Sequence, residues 1–188
     1  MIRTNLKFLF LILGLVIISG CTQVINETQN VLSYEEKNLL NGNTYSINSQ
    51  FELNHLDAYY FEFNSQSNLH LISRMVCANT ISGNQLHYEV NIYENGDSSG
   101  GTQIESFNNL RDSPKNSSTI IFKNVNPNLT NSNKLPFGNK VISDKSVTDL
   151  CDNTIPYILK PNVNYYVEIK NLNNALTNFS INWLWIES

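Results

Sequence analysis

From Thr44 onward, apolar and polar residues alternate with a period of two, which is the pattern of strands buried on one face. Residues 44–53 read as the first strand. Tyr59, Phe61 and Phe63 alternate with Tyr60, Glu62 and Asn64 in a second, and 69–77 form a third, bounded by Asn68 and Asn79. In a fourth, Leu86, Tyr88, Val90 and Ile92 alternate with His87, Glu89, Asn91 and Tyr93. Residues 94–101 are rich in Gly, Asp and Ser and predict a turn. Shorter strands are expected over 102–107 and 118–125. Strands 155–159 and 163–169 flank a turn at Lys160-Pro161-Asn162, and 178–186 close the chain. The stretch 126–153 is polar, carries Pro127 and Pro136, and reads as an insertion or long loop held near its end by Cys151. Ahead of the strands, 31–40 reads either as one short helix capped by Asn30 or as lead-in loop, ended by Asn41-Gly42-Asn43. Many short strands and almost no helix predict an all-β protein, an antiparallel β-sandwich over 41–188.

The N-terminus follows a different rule. Arg3 and Lys7 make a short positive region, and 8–18 is then uncharged and apolar apart from Gly14. A run of roughly eleven residues fits the core of an export signal and falls short of the ~20 needed to span a bilayer. Ile18-Ser19-Gly20-Cys21 resembles the bacterial lipobox, in which the signal is cut before a lipid-bearing cysteine; the alternative is an ordinary signal peptide with Cys21 a plain thiol. The resemblance implies two or three acyl chains on Cys21, enough for stable anchoring where one chain is marginal. Residues 1–20 would then be the signal peptide and 21–40 the tether and lead-in. Thr22 stands where an Asp would retain a Gram-negative lipoprotein at the inner membrane, so in such an organism the expected site is the outer membrane.

Removal of the signal leaves enough chain for one domain with a real core. The full sequence has a net charge of −4, and loss of Arg3 and Lys7 makes it more negative. With no basic patch, nucleic acid is not an expected partner. Asn is abundant but spread among apolar strands, so the chain does not read as a prion-like tract. Once Cys21 is lipidated, Cys77 and Cys151 remain. In an exported protein such a pair favours a disulfide, with two buried free thiols as the alternative. The bridge would close a loop of roughly 75 residues, worth on the order of 4 kcal/mol by chain entropy.

Three stretches, in order, resemble bacterial pre-peptidase C-terminal domains. They are Leu56-Asp57-Ala58-Tyr59-Tyr60-Phe61-Glu62-Phe63, then Val90-Asn91-Ile92-Tyr93-Glu94-Asn95-Gly96, then 159–169 with its Leu-Lys-Pro-Asn and Tyr-Tyr-Val. A last strand follows at 179–186, where theirs closes. The chain departs from the pattern in the 126–153 stretch, the cysteine pair, and Asn162 where Gly is usual. The resemblance implies a jelly-roll-like sandwich without catalysis of its own, a fold sometimes used to bind glycan or collagen.

Candidate chemistry is sparse. There is no Gly-x-Ser-x-Gly, His-Glu-x-x-His, P-loop or Cys-x-x-Cys. His70 and His87 sit on consecutive predicted strands and, with Glu89, have the residue types for zinc, although surface histidines are the commoner reading. Asp97, Asp144, Asp149 and Asp152 are oxygen donors of the kind calcium takes, at spacings that fit no known loop. Trp183, Trp185 and Tyr165 share a register with apolar neighbours and are expected in the core, whereas Tyr60, Tyr93 and Tyr166 take the opposite register. Outward aromatics stack on sugars or anchor a protein partner. The expectation is a non-catalytic envelope lipoprotein whose sandwich binds a glycan or protein, or serves envelope structure. Two alternatives are an inhibitor of a cationic enzyme such as lysozyme and a glycan hydrolase.

Overall fold

The computed structural model describes residues 33–79, 85–136, 139–146, 149–153 and 157–188. The expected signal over 1–20, the expected lipidation site Cys21, and Asn30 lie outside them. The chain divides into two compact units after Lys37. Among the described residues is one helix, α1 (Tyr34–Leu40), and none is long and apolar enough to cross a membrane. Its cap is Ser33 rather than Asn30. The Ser33 hydroxyl accepts from the Glu36 amide at 3.2 Å while Glu36 Oε2 accepts from the Ser33 amide at 2.8 Å, a reciprocal capping box. At the other end Gly42, at φ +68°, turns the chain left-handed and donates to the Leu39 carbonyl.

The strands are β1 (Thr44–Leu53), β2 (Ala58–Ser65), β3 (Leu69–Asn79), β4 (Gln85–Glu94), β5 (Asp97–Ile104), β6 (Phe107–Asn108), β7 (Thr119–Asn128), β8 (Asn133–Lys134), β9 (Asn139–Ser146), β10 (Asp149–Asn153), β11 (Tyr157–Leu159), β12 (Asn164–Asn171) and β13 (Thr177–Glu187). They form two antiparallel sheets. The first runs β10-β3-β13-β1-β6 with β11 also on β3; the second runs β5-β7-β2-β12-β4-β8 with β9 also on β4. Taking β8 with β9, and β10 with β11, as single edges leaves β1-β13-β3-β10 facing β2-β12-β4-β9. That order, with the last strand between the first and third, is the double Greek key of a jelly roll. The all-β sandwich expected from the sequence is therefore present. β5, β6 and β7 are inserted between β4 and β8 and extend both sheets on the side of β1 and β2.

Two sequence expectations are corrected here. The stretch 126–153 is no insertion or long loop: it holds the end of β7, then β8, β9 and β10, two of which complete the jelly-roll edges. Edge strands face solvent along one side, so Asn, Ser and Lys serve there and the apolar alternation fades. The turn expected over 94–101 is only Asn95 and Gly96, since β5 begins at Asp97.

The core is aromatic. Phe61 and Phe63 of β2 meet Trp183 of β13 with ring centroids 4.9 and 5.1 Å apart. Phe51 lies 4.2 Å from Tyr59 and 5.6 Å from Phe179, and Tyr88 meets Phe179 edge-on at 5.5 Å. All but Phe51–Phe179, which pairs within the first sheet, join the two sheets, each worth about 0.5–1.5 kcal/mol beyond the area buried. Trp183, Trp185 and Tyr165 are all buried. A slip in the β3–β13 register pairs Leu184 with Ser73 but Trp185 with Leu71. The extra residue, Ile72, reverses the parity of β3, so Leu69 and Leu71 are buried before it and Arg74, Val76 and Ala78 after it.

Candidate functional site

β12 is the central strand of the second sheet and is buried on both faces. Tyr165, Val167 and Ile169 enter the core; Tyr166, Glu168 and Lys170 alternate with them on the outer face. The pairing register then fixes their neighbours. Tyr166 stands between Glu62 and Tyr93, Glu168 between Tyr60 and Asn91, and Lys170 between Ala58 and Glu89. Two of the three predicted outward tyrosines, Tyr60 and Tyr93, are thereby brought to one carboxylate. The Tyr60 hydroxyl donates to Glu168 Oε1 at 2.6 Å, while Asn91 Nδ2 and the Tyr93 hydroxyl donate to Oε2 at 2.8 and 3.1 Å. Glu168 is only 9% exposed, and all three donors are neutral.

The electrostatics follow from that contact. Burial, then the bond to Glu168 and its negative charge, push the Tyr60 phenol far above its ordinary value. Burial and the charge of Glu168 raise the Tyr93 phenol to about 12. Both tyrosines are half-buried and stay protonated donors through the physiological range. Glu168 acts as a positioning residue: it fixes two ring orientations on an open sheet face, with the Asn91 amide between them.

Tyr166 does not join them. It is fully buried, so it offers no surface to a ligand. β7 pairs with β2 only through residues 119–123; past Asn124, at φ +56°, it pairs with β5 alone. The far end of this ribbon folds over the second sheet. The Tyr166 hydroxyl donates to the Gly96 carbonyl at 3.0 Å, and the Ser98 hydroxyl donates to Glu62 beside it. A Cβ on Gly96 would lie 2.8 Å from Tyr166 Cε2 and 3.3 Å from Leu129, so only glycine fits.

The other candidates disperse. Asp97 is exposed at the start of β5; Asp144 lies on β9 in the second sheet, and Asp149 and Asp152 on β10 in the first. Among the described residues no three His, Cys, Asp or Glu gather as a metal site. His70 and His87 belong to opposite sheets, and His70 Nε2 is 2.9 Å from the Ser188 hydroxyl. Burial, and then the charge of Lys140, lower the pKa of His87, against the opposing pull of Glu89. In the β3–β10 pair, Cys77 and Cys151 are direct backbone partners.

Two polar constellations were not anticipated. The Glu187 carboxylate accepts from the Ser117 hydroxyl, the amides and hydroxyls of Ser118 and Thr119, and Trp185 Nε1. At the opposite end of β13, the buried Asn171 amide donates to the carbonyls of Leu53, Asn54 and Ala175, and its oxygen accepts from the Asn173 amide. Both join segments distant in sequence, and neither has a local sequence signal. The first sheet carries two adjoining clefts, of about 600 and 620 Å³, lined by residues of β1, β13 and β3. Compared with known proteins, the chain matches no family model and no curated relative.

Proposed function

We propose that this chain is a non-catalytic, lipid-anchored envelope protein whose jelly roll binds a glycan on the outer face of the second sheet. The observation that carries the reading is the Glu168 cluster. Two half-buried tyrosines are locked by their hydroxyls on an open sheet face, so little ring freedom is lost when a sugar stacks there. Lys170 and Glu89, on the next row of the same face, supply hydrogen-bonding groups beside the rings, the mixture of flat apolar surface and polar edge that a sugar presents in return. The likeness of 56–63, 90–96 and 159–169 to pre-peptidase C-terminal domains points the same way.

The anchor rests on Ile18-Ser19-Gly20-Cys21. An intact mass of the membrane fraction should show a chain beginning at Cys21 with added acyl mass; a chain beginning elsewhere, or without lipid, refutes it. A Cys77–Cys151 bridge belongs to the same reading. Cys77 and Cys151 are paired antiparallel residues, whose Cα atoms lie about 4.5–5.5 Å apart, inside the range a disulfide spans. The glycan reading is tested by co-sedimenting the full-length lipidated protein with purified cell-wall sacculi and with envelope polysaccharide. Wild type should sediment with one of them, and Tyr60→Ala/Tyr93→Ala should fall to the level of protein alone. Undiminished binding by that variant would refute the site.

A further inference from the structure

The two clefts on the first sheet lie on the face opposite the Tyr60 cluster and owe nothing to it. Their floor is a lattice fixed by register. Asn48 pairs with Asn182, which pairs with Met75; Gln50 pairs with Ser180 and then Cys77; Glu52 pairs with Asn178 and then Asn79. All nine alternate with core residues and therefore point outward. The clefts share Gln50 and Ser180, so they form one continuous trough, and Lys123 lines its second half.

Four amides of this trough differ from the asparagines that are built into the fold. Asn64, Asn91, Asn108, Asn171 and Asn173 each spend their side-chain groups on hydrogen bonds within the fold. Among the described residues, the side chains of Asn48, Gln50, Asn178 and Asn182 make none, and Asn48, Gln50 and Asn182 are exposed. Codon bias supplies asparagine; it does not align unused amides on adjacent strands of one face.

We infer that this trough is a second binding surface, taking an extended, neutral polysaccharide segment. A primary amide offers two donors and an acceptor from one rigid plane, which matches the paired donor and acceptor character of neighbouring sugar hydroxyls. Side chains on one face recur at about 6.7 Å along a strand and about 4.8 Å across, so from Asn48 to Glu52 the trough runs about 13 Å and takes more than one ring. The amide rows carry a single charge, Glu52, and Lys123 stands at the trough's side, which disfavours a polyanion or polycation. An extended peptide fits less well. β13 and β3 are each paired on both sides, so only β1, which pairs with β6 at Tyr45 and Ser46 alone, offers an edge for strand addition, and Met75 is the one large apolar group in the rows to anchor a peptide's side chains.

The test is affinity electrophoresis of the full lipidated chain in detergent micelles, through gels containing hydroxyethyl cellulose, dextran or galactomannan. Retardation in at least one gel is expected. Gln50→Ala/Asn182→Ala, both exposed and unbonded, should weaken it about tenfold with an unchanged melting temperature. Tyr60→Ala/Tyr93→Ala should keep the part of the retardation that the amide variant loses, so the two faces fail separately. No retardation with any polymer, equal retardation of wild type and the amide variant, or tighter binding of an extended peptide than of the polysaccharide would each overturn the inference.

Discussion

Glu187 and Glu168 sit on the last two strands, and both are held by hydroxyl groups, yet they are built differently. Glu187 accepts six hydrogen bonds, two from consecutive backbone amides, and these come from the segment that leads into β7 on the other sheet. Glu168 accepts three, all from side chains of its own sheet. Backbone donors arrive where the chain path is being fixed, so Glu187 staples the two sheets together. Side-chain donors alone leave the path untouched and fix only the orientation of the donors, so Glu168 arranges a surface. A carboxylate's donors thus separate a structural role from a positioning one where burial does not.

The comparison breaks first at Glu187. Replacement by Ala strands the amides of Ser118 and Thr119 and should cost ~3–4 kcal/mol, which calorimetry would record as a drop of roughly 6–16 °C in a domain of this size. Burial alone would raise the pKa of Glu187, but the bonds from Ser117, Ser118 and Thr119 outweigh it and hold the carboxyl below 4.5. The unfolded chain therefore takes up the proton first. The stabilising contribution is complete above the ordinary carboxylate range and is lost as pH falls through the folded value. Denaturant titrations from pH 6 to pH 3 should show this acid limb in the wild type and a shallower one in Glu187→Gln. An identical limb in both would remove Glu187 from the account.

Gly96→Ala comes next. Its Cβ would meet a ring that is fully buried and tied by its own hydroxyl, so the expected cost is ~1–3 kcal/mol, read as a shift in denaturation midpoint. A neutral result would mean that the ribbon does not clamp Tyr166.

The smallest effect sharpens the other half of the comparison. In an absorbance titration near 295 nm, Tyr93 should ionise at about 12 in the wild type. In Glu168→Gln, with the charge removed, its midpoint should move down toward the ordinary value of 10, with little change in melting. No movement would show that the carboxylate does not govern the rings.

Much of the fold was legible because the central strands are buried on one face and write that face in their alternation. The strands around Phe61, Val90, Val167 and Trp183 follow the sequence pattern nearly residue for residue. The edges were not legible. Asn133 and Lys134 of β8 and Lys140 of β9 are exposed, and Asn, Ser and Lys in such strands look the same as loop. Of the site, the outward register of Tyr60 and Tyr93 could be read, whereas Glu168 appeared as one more polar residue between Val167 and Ile169. Its role depends on which strands lie beside β12, and that is a property of topology. Tyr166 had the same outward register but is covered, because β7 leaves the sheet at Asn124, a bend the surrounding residues do not announce.

The outer edges carry a last consequence. β3 is flanked by β10 along one stretch and β11 along another, and β4 by β9 and β8 in the same way. An edge made of two short pieces presents no long uninterrupted row of amides and carbonyls for a neighbouring copy to extend. Confined by its proposed anchor to one membrane, the protein would meet other copies at local concentrations far above those in free solution. Under that crowding a long, straight edge would seed strand-by-strand polymerisation, and on the β3 and β4 sides the interrupted edges deny neighbouring copies that template.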